Sequence, residues 1–572
     1  MALAKLRLAS GTSRLHTTAE AVKRWLRRAS TSPDATASQG GKVDAMFEYT
    51  SGRWIYNEPL RRRERDLKFE VGALRRAIAS SDSCADVISL EKFAEGGFNR
   101  ILQATCRNGR RALARLPYPS TVPRHYTVAS EVATMEYLRL NQIPVPRVYG
   151  WSSTASNAVG AEYIIMEKLE GTTLGDVWLS LSFKERHKVV EQIVLLERRL
   201  FSLQLPASGS IYFPNDLARH ERSQSVPFQS QGHEFCIGPM AHYSWWHKGR
   251  DSLECDRGPW CNSNGPFVAV GERELQWTKT FAKPRLHYER LYREVHKYQK
   301  MSPQSHIDAI DKYLKLANCL GYRRHDRLSR PILRHPDLQP NNILLSESLD
   351  IVGLIDWQHA TALPLCLSAG IPEHFQNYGD PESERMIQPA RELSPDFDAL
   401  NPEEQVAVKQ VHIKRLTHFL YAALTLRYNE EHYEAIFNSG VVLHQRLYKH
   451  AGTPWEGDSI TLQAELINAI QHWQDVVSSG STTCETPPIQ FSEESTQSIT
   501  ELLGRQQEMD TMMDQMRETL RVDVYGWVPN EDFTATRELA QDIKERMVAA
   551  ADPAEKDGIR NHFPFDDFDE DG

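Results

Sequence analysis

The segment ILRHPDLQPNNILLSESLDIVGLIDWQHA, from Ile332 to Ala360, constrains the fold more than any other stretch of the chain. Pro336 and Pro340 rule out ordinary helix across it, because each removes a backbone donor and crowds the preceding turn. His335, Asp337 and Asn342 therefore belong to a loop, and ILL from Ile343 begins a strand. DIVGLIDW reads as a second strand, so the two form a hairpin that returns Asp356 beside the loop. Two carboxylates and one amide carbonyl then converge on a small volume. Oxygen ligands of this kind suit Mg²⁺, which keeps several waters and shares its shell with substrate phosphates. With no cysteine nearby and only His335 and His359 flanking, zinc is less favoured. In such a site one carboxylate accepts a proton from a hydroxyl while the others hold the metal.

Upstream, VISLEKFAEGGFNRILQATCRNGRRALARLPYP alternates apolar runs with turn signals at Gly96-Gly97 and Asn108-Gly109. Three antiparallel strands are expected, roughly at 87–94, 98–106 and 111–116. SEVATMEYLRL follows as a helix with Ser130 as its N-cap. IPVPRVYGW and AEYIIMEKLEG read as two more strands, closing a small sheet with one helix near Gly171. A helix is also expected from Phe69 to Ala79. Beyond the sheet, 182–204 and 284–317 carry helical spacing, with a Gly-, Trp- and Cys-bearing loop at 235–267 between them. Helical patterns resume after Pro402.

The H-x-D-x-x-x-x-N of HPDLQPNN with the later LIDW resembles the aminoglycoside phosphotransferase and choline kinase-like family. The stretches FAEGGFNR, ARLPYP, SEVATMEYL and IDWQHATALPL are similar to the fungal "altered inheritance of mitochondria" group within it. The likeness spans about residues 45 to 530, with the motifs in the family's order. It implies an α+β, bilobal protein-kinase-like fold: a small antiparallel-sheet N-lobe at 43–171 and a large, mainly helical C-lobe at 172–530. The C-lobe holds the catalytic loop and an insert at 213–268, and 531–572 forms a C-terminal helix and acidic tail.

The resemblance also implies an ATP- and Mg²⁺-dependent transfer of phosphate to a hydroxyl of an unidentified small molecule. By its motif positions, Asp337 is the catalytic base, and Asn342 and Asp356 hold Mg²⁺. Gly96, Gly97, Phe98 and Asn99 form the turn over the phosphates, where backbone N–H groups approach closely. Arg115 pairs with Glu131, the backbone between Glu167 and Leu169 receives adenine, and His335 buttresses the loop. The insert's Tyr243, Trp245, Trp246 and Trp260 either line the acceptor pocket or pack between lobes.

Departures from the family pattern bear on activity. Arg115 stands where Lys is usual, with Arg100 a candidate to share its task. Pro336 replaces Gly, and Gln358 stands where an acid is frequent. A guanidinium forks between partners and is no substitute for a point charge. The other reading is therefore a kinase-like pseudoenzyme that serves as a nucleotide-binding scaffold in mitochondrial maintenance.

The net charge of -9 gives no electrostatic reason to bind nucleic acid. No stretch approaches the roughly 20 apolar residues of a membrane span. The eight cysteines are scattered without a CxxC pair, so neither a zinc knuckle nor a disulfide framework is expected. Residues 1–42 differ from the rest. Lys5, Arg7, Arg14, Lys23, Arg24, Arg27 and Arg28 face the single acid Glu20 across the first 32 residues. That is the composition of a mitochondrial transit peptide followed by a Ser/Thr/Ala/Gly linker, implying the import machinery as a partner and the matrix as destination.

Overall fold

A computed structural model describes residues 46–81, 86–478 and 485–570, and the expected transit peptide and linker lie outside them. Five antiparallel strands form the smaller lobe: β1 (Val87–Glu95), β2 (Asn99–Cys106), β3 (Arg111–Pro117), β4 (Val148–Ser152) and β5 (Tyr163–Glu167). Their order is β1-β2-β3-β5-β4. The β2–β3 turn is the expected Asn108-Gly109, where Gly109 takes φ +79°, a conformation that glycine adopts without a Cβ penalty.

Side chains alternate across a strand, so β3 presents Ala112, Ala114 and Leu116 to one face and Arg115 to the other. Helix α1 (Val71–Ser80) covers the first face through Leu74 and Ile78, which share a core cluster with Leu102, Ala114 and Leu116. Helix α2 (Tyr126–Leu140) covers the second. It starts at Tyr126, four residues before the expected N-cap, and Ser130 lies buried inside it. Thr127, Val128 and Ala129 are enclosed by neighbouring elements, and that burial outweighs Ser130's capping preference.

The larger lobe is built on α3 (Phe183–Ser202), α4 (Gly265–Phe281), α5 (Gln304–Ala317), α6 (Pro402–Tyr428), α7 (Ser439–Ala451) and α8 (Ile460–Gln471). Helix α3 begins with a reciprocal cap between Ser182 and Glu185. The architecture is α+β in two lobes, as expected. Between Lys283 and Pro303, however, the chain is mostly irregular, with a single helical turn at Tyr292–Val295. Its arginines reach the C-terminal tail instead: Arg285 Nη2 donates to Glu570 O at 2.9 Å, and Arg293 Nη1 lies 2.9 Å from His562 Nδ1.

The insert also departs from expectation. His233–Gly238 is a strand paired with both Val226–Ser230 and Ser210–Tyr212. Its hairpin turn is Gln231-Gly232, both at positive φ, so the strands were masked by a turn without the Asn-Gly signature. Two further helices, α9 (Glu493–Leu520) and α10 (Phe533–Ala550), share an apolar cluster with Ile55 and Leu291. The two-residue strand Arg53–Trp54 pairs with Trp527–Val528, tying the N-terminal segment to this unit. Cys106 and Cys319 are each disulfide-bonded, contrary to the expectation of no disulfides, because sequence spacing alone does not reveal disulfide pairing. Among the described residues no helix is long and apolar enough to cross a membrane.

One buried ionic triad fastens the insert to α4. Arg250 grips Glu274 at 2.8 and 2.5 Å while Arg273 reaches it at 2.7 Å, all three fully enclosed. Arg250 lies over Trp277 and Arg273 over Trp245. Burial pushes the Glu274 carboxyl up, but Arg273 and Arg250 together hold it below its ordinary value. Removing the acid strands two buried guanidinium groups. Glu274→Ala should lower the urea-unfolding free energy by roughly 3–5 kcal/mol near pH 7. Because the folded-state pKa is depressed, that contribution is present above the ordinary Glu range and is lost as pH falls through the depressed value.

Candidate active site

The segment that opens the site folds as a loop, one 3₁₀ turn and a hairpin. The turn Pro340–Asn342 leads into β6 (Ile343–Leu345), which pairs antiparallel with β7 (Ile351–Leu354). Asn342 Nδ2 donates to Asp337 O at 2.8 Å and to Asp337 Oδ2 at 3.2 Å. Ile355 N–H donates to Asn342 O at 3.0 Å, so the residue before Asp356 is tied to the metal-ligand candidate on the loop. Asp337 is exposed, Asn342 buried, and the Asp356 side chain 47% exposed.

His335 holds this arrangement from behind. Its Nε2 donates to Ile355 O at 2.9 Å, and its Nδ1 accepts from Asp337 N–H at 3.1 Å, which fixes the neutral tautomer. Burial keeps its pKa below the usual imidazole value. Trp357 is completely enclosed and packs its ring 4.5 Å from that of His335. Asp356 itself sits at φ +67°, a region uncommon for a residue with a Cβ, which turns its carboxylate out of the strand line.

Arg115 crosses the cleft. Its Nη1 bonds Glu131 on α2, while Nη2 donates to Asp356 Oδ1 at 2.7 Å and also to Gln358 Oε1. Arg115 and Glu131 are both buried, so the pairing is interior rather than a surface ion pair. Burial opposes both charges. It pushes Glu131 up to about 7 against the pull of Arg115, while Glu131 and Asp356 hold the guanidinium above its ordinary value against the same burial. Arg100 takes no part. It is fully enclosed on the opposite face of the sheet, held by Glu95 and by the carbonyls of Met46 and Phe47.

Gln358 is the residue that sequence reasoning passed over, registering it only as a departure. It is buried, accepts from Arg115, and lies 2.6 Å from Asn99 Nδ2 across the lobes. With the Asn99 amide turned over, its oxygen faces Arg115 Nη2 at 2.7 Å and Nε at 3.1 Å, so either orientation joins the Gly96–Asn99 turn to this cluster. The only hint available in the sequence was an uncharged amide two residues after Asp356.

The turn Gly96–Asn99 lies above. Gly96 N–H donates to Asn99 O at 2.9 Å, whereas a Cβ at Gly97 would meet nothing within 4 Å, leaving open space over the turn. Phe98 reaches across to the ring edges of Tyr243 and His359, with centroids 5.7 and 5.4 Å away. At the junction between lobes, Glu167 N–H already donates to Arg147 O at 2.8 Å, and Leu169 packs its Cδ1 beneath Gly353.

Beside Asp337 opens a cavity of about 380 Å³ between the Asp337 loop and the insert, reached by Met240, His242 and Trp245. Trp246 and Trp260 are not among its walls. Trp246 stacks on Tyr126, and Trp260 packs against Trp245 from behind, so these two aromatics serve packing.

A family model described as the phosphotransferase enzyme family matches residues 89–366, from β1 to just beyond Asp356. A subtelomeric hrmA-associated cluster protein of Aspergillus fumigatus is 32% identical over 520 residues, covering 85% of this chain and 97% of that protein. Altered inheritance of mitochondria protein 9, mitochondrial, of Yarrowia lipolytica is 25% identical over 76% of this chain and 77% of its own length. A solved ethanolamine kinase of Plasmodium vivax is 13% identical at a TM-score of 0.31, covering 68% of this chain and 84% of that one.

The Asn99–Gln358 link has a measurable consequence. A double-mutant cycle of Asn99→Ala and Gln358→Ala, followed by urea unfolding, is expected to give a coupling of about 0.5–3 kcal/mol, and strict additivity would mean that the two amides do not hold each other.

Proposed function

The chain belongs to the phosphotransferase enzyme family, and from that premise we propose that it transfers the γ-phosphoryl group of ATP to a hydroxyl of a small molecule in the mitochondrion, most simply the matrix. The observation that carries this reading is the hydrogen-bonded continuity of Asp337, Asn342 and the Asp356 turn beside an open cavity. The Asp337 carboxylate has its Oδ2 engaged by Gln339 and Asn342, which leaves Oδ1 toward the acceptor. That oxygen takes the hydroxyl proton as the new O–P bond forms and the bond to the β–γ bridging oxygen breaks, releasing ADP.

The residues fit a divalent cation. Asn342 uses its amide nitrogen on Asp337, and among the described residues neither its Oδ1 nor Asp356 Oδ2 receives a hydrogen bond. Asn342 and Asp356 would hold Mg²⁺, which when bound offsets the negative charge of the phosphates. The open turn at Gly97 and Phe98 offers backbone N–H groups to the same phosphates, and with the Glu167 N–H engaged, the backbone that follows it to Leu169 offers the hinge donor for adenine. The relatives named as mitochondrial and the basic, acid-poor first 32 residues support the compartment.

One observation favours the scaffold reading. Arg115 already occupies Asp356 Oδ1, so a cation must share that carboxylate with a guanidinium. Two substitutions separate the readings. Asp337→Asn should lower kcat by about 10²–10⁴ while leaving the Mg-ATP thermal shift in place. Asp356→Ala should abolish the metal dependence of that shift, which at 100 times Kd corresponds to about 2.7 kcal/mol. A shift indifferent to Mg²⁺ and to Asp356, with no ATP consumed across a broad metabolite panel, would establish the scaffold instead.

A further inference from the structure

The turn from Gly96 to Asn99 carries two successive glycines, so its own backbone has much freedom to lose and little to fix it. Its root is fixed from outside. Glu95 ends β1 and stands opposite Arg100 on β2. A bulge between Lys92 and Ala94 brings Lys92 to the same face, although three residues separate it from Glu95. The Glu95 side chain is 1% exposed, with Arg100 Nε 3.1 Å and Lys92 Nζ 3.2 Å from its Oε1.

The other donors come from the chain ahead of the sheet. Thr50 N–H and the Ser51 hydroxyl donate to Glu95 Oε2 at 2.9 and 3.0 Å. The flanking cations hold the same segment by its oxygens. Lys92 donates to Glu48 O at 2.9 Å and to Thr50 Oγ1 at 2.6 Å, and Arg100 Nη1 to Met46 O and Phe47 O at 2.8 Å each. An enclosed carboxylate deprived of its donors is strongly disfavoured, so the 46–54 segment and the root of the turn hold one another.

The C-terminal unit grips this segment from the other side. Arg53–Trp54 pairs with Trp527–Val528, Asn530 Nδ2 donates to Thr50 O at 2.7 Å, and Trp527 Nε1 donates to Tyr49 Oη at 3.1 Å. That unit rests in turn on the larger lobe, where Gln506 of α9 donates to Asp458 Oδ2 at 2.5 Å just ahead of α8. A continuous path therefore runs from the larger lobe through α9 and residues 46–54 to Glu95, separate from the backbone between Glu167 and Leu169.

We propose that residues 46–54 are a strap that positions the turn from Gly96 to Asn99, with Glu95 as its positioning residue. Nucleotide affinity is then set in part by how the C-terminal unit sits on the larger lobe. A turn already held at its root loses less freedom when phosphates meet its N–H groups, and the smaller loss appears as affinity. The inference rests on the transfer reading for the identity of the ligand, whereas the link from strap to turn does not depend on it.

The test uses the full chain at a temperature where every variant is folded. Its readouts are hydrogen exchange of the peptide carrying Gly96 to Asn99 and calorimetric titration with Mg-ATP. Gly52→Ala cuts the strap from the C-terminal unit at a distance, because a Cβ there runs into Val528 O and the Trp527 ring. Glu95→Gln cuts it at the turn, where an amide nitrogen replaces one acceptor oxygen and meets other donors. Both variants should speed exchange at the turn about tenfold while β3 is unaltered, and weaken Mg-ATP binding about tenfold. If Gly52→Ala fails to fold, Asn530→Ala, which removes an exposed side chain's bond to Thr50 O, should move both readouts the same way. Exchange at the turn that keeps the wild-type rate, or that rises equally across the sheet, overturns the proposal. So does a faster-exchanging turn with unchanged Mg-ATP affinity. A wild-type chain that binds no Mg-ATP counts against the transfer reading, and the exchange result then decides the strap by itself.

Discussion

The Arg115 guanidinium is the constraint on which the rest of the site depends. It is a buried charge in the sheet, and it stays there because two carboxylates and an amide reach it from α2 and from the turn after β7. Desolvating such a charge costs several kcal/mol unless every donor is met, so the positions of α2, the Asp356 turn and Gln358 are jointly fixed by one side chain. A lysine ammonium lacks the planar fork that serves Glu131 on one arm and Asp356 with Gln358 on the other. The replacement that looked like a loss of function in the sequence is, in the folded molecule, the centre of a lobe-spanning cluster. It also places a positive charge against Asp356 Oδ1, so any cation held by that carboxylate would share it with the guanidinium.

Around this cluster the fold divides its labour by burial. The loop and hairpin from His335 to Asp356 are held by backbone hydrogen bonds and by Trp357, leaving Asp337 exposed on a rigid support. The insert side of the cavity is positioned differently. The ionic triad at Glu274 fixes Arg273, which fixes Trp245, which in turn borders the cavity. A third arrangement closes the chain. The segment before the sheet clasps the C-terminal unit, with Asn57 Nδ2 donating to Phe568 O at 3.0 Å and to Glu570 Oε1 at 2.8 Å. The acidic tail is thus a docked element with arginines as its seat, including Arg61 and Arg285.

Local signals were legible where a residue's own backbone chemistry decides the outcome. Asn108-Gly109 marks its hairpin because glycine tolerates φ +79°, and the prolines at 336 and 340 exclude helix from the loop. Signals failed where neighbours distant in sequence decide. Ser130 looked like a cap and is a buried helical residue, because the insert and the sheet enclose α2 from both sides. The 284–303 stretch has helical spacing, yet its arginines are drawn out to the C-terminal tail. Gln231-Gly232 turns a hairpin without the familiar residue pair. Gln358 offered no charge and no motif, and its importance lies in contacts with residues more than 240 positions away.

By itself the sequence determined that Asp337, Asn342 and Asp356 lie on one loop and hairpin, because that proximity follows from short-range turn and strand chemistry. It also determined the alternation that turns Arg115 away from the core face of its strand. Only the tertiary structure decided what Arg115 holds and which aromatics border the cavity. Those outcomes depend on desolvation and on hydrogen-bond partners brought together by packing between lobes, and neither quantity exists until the chain has folded.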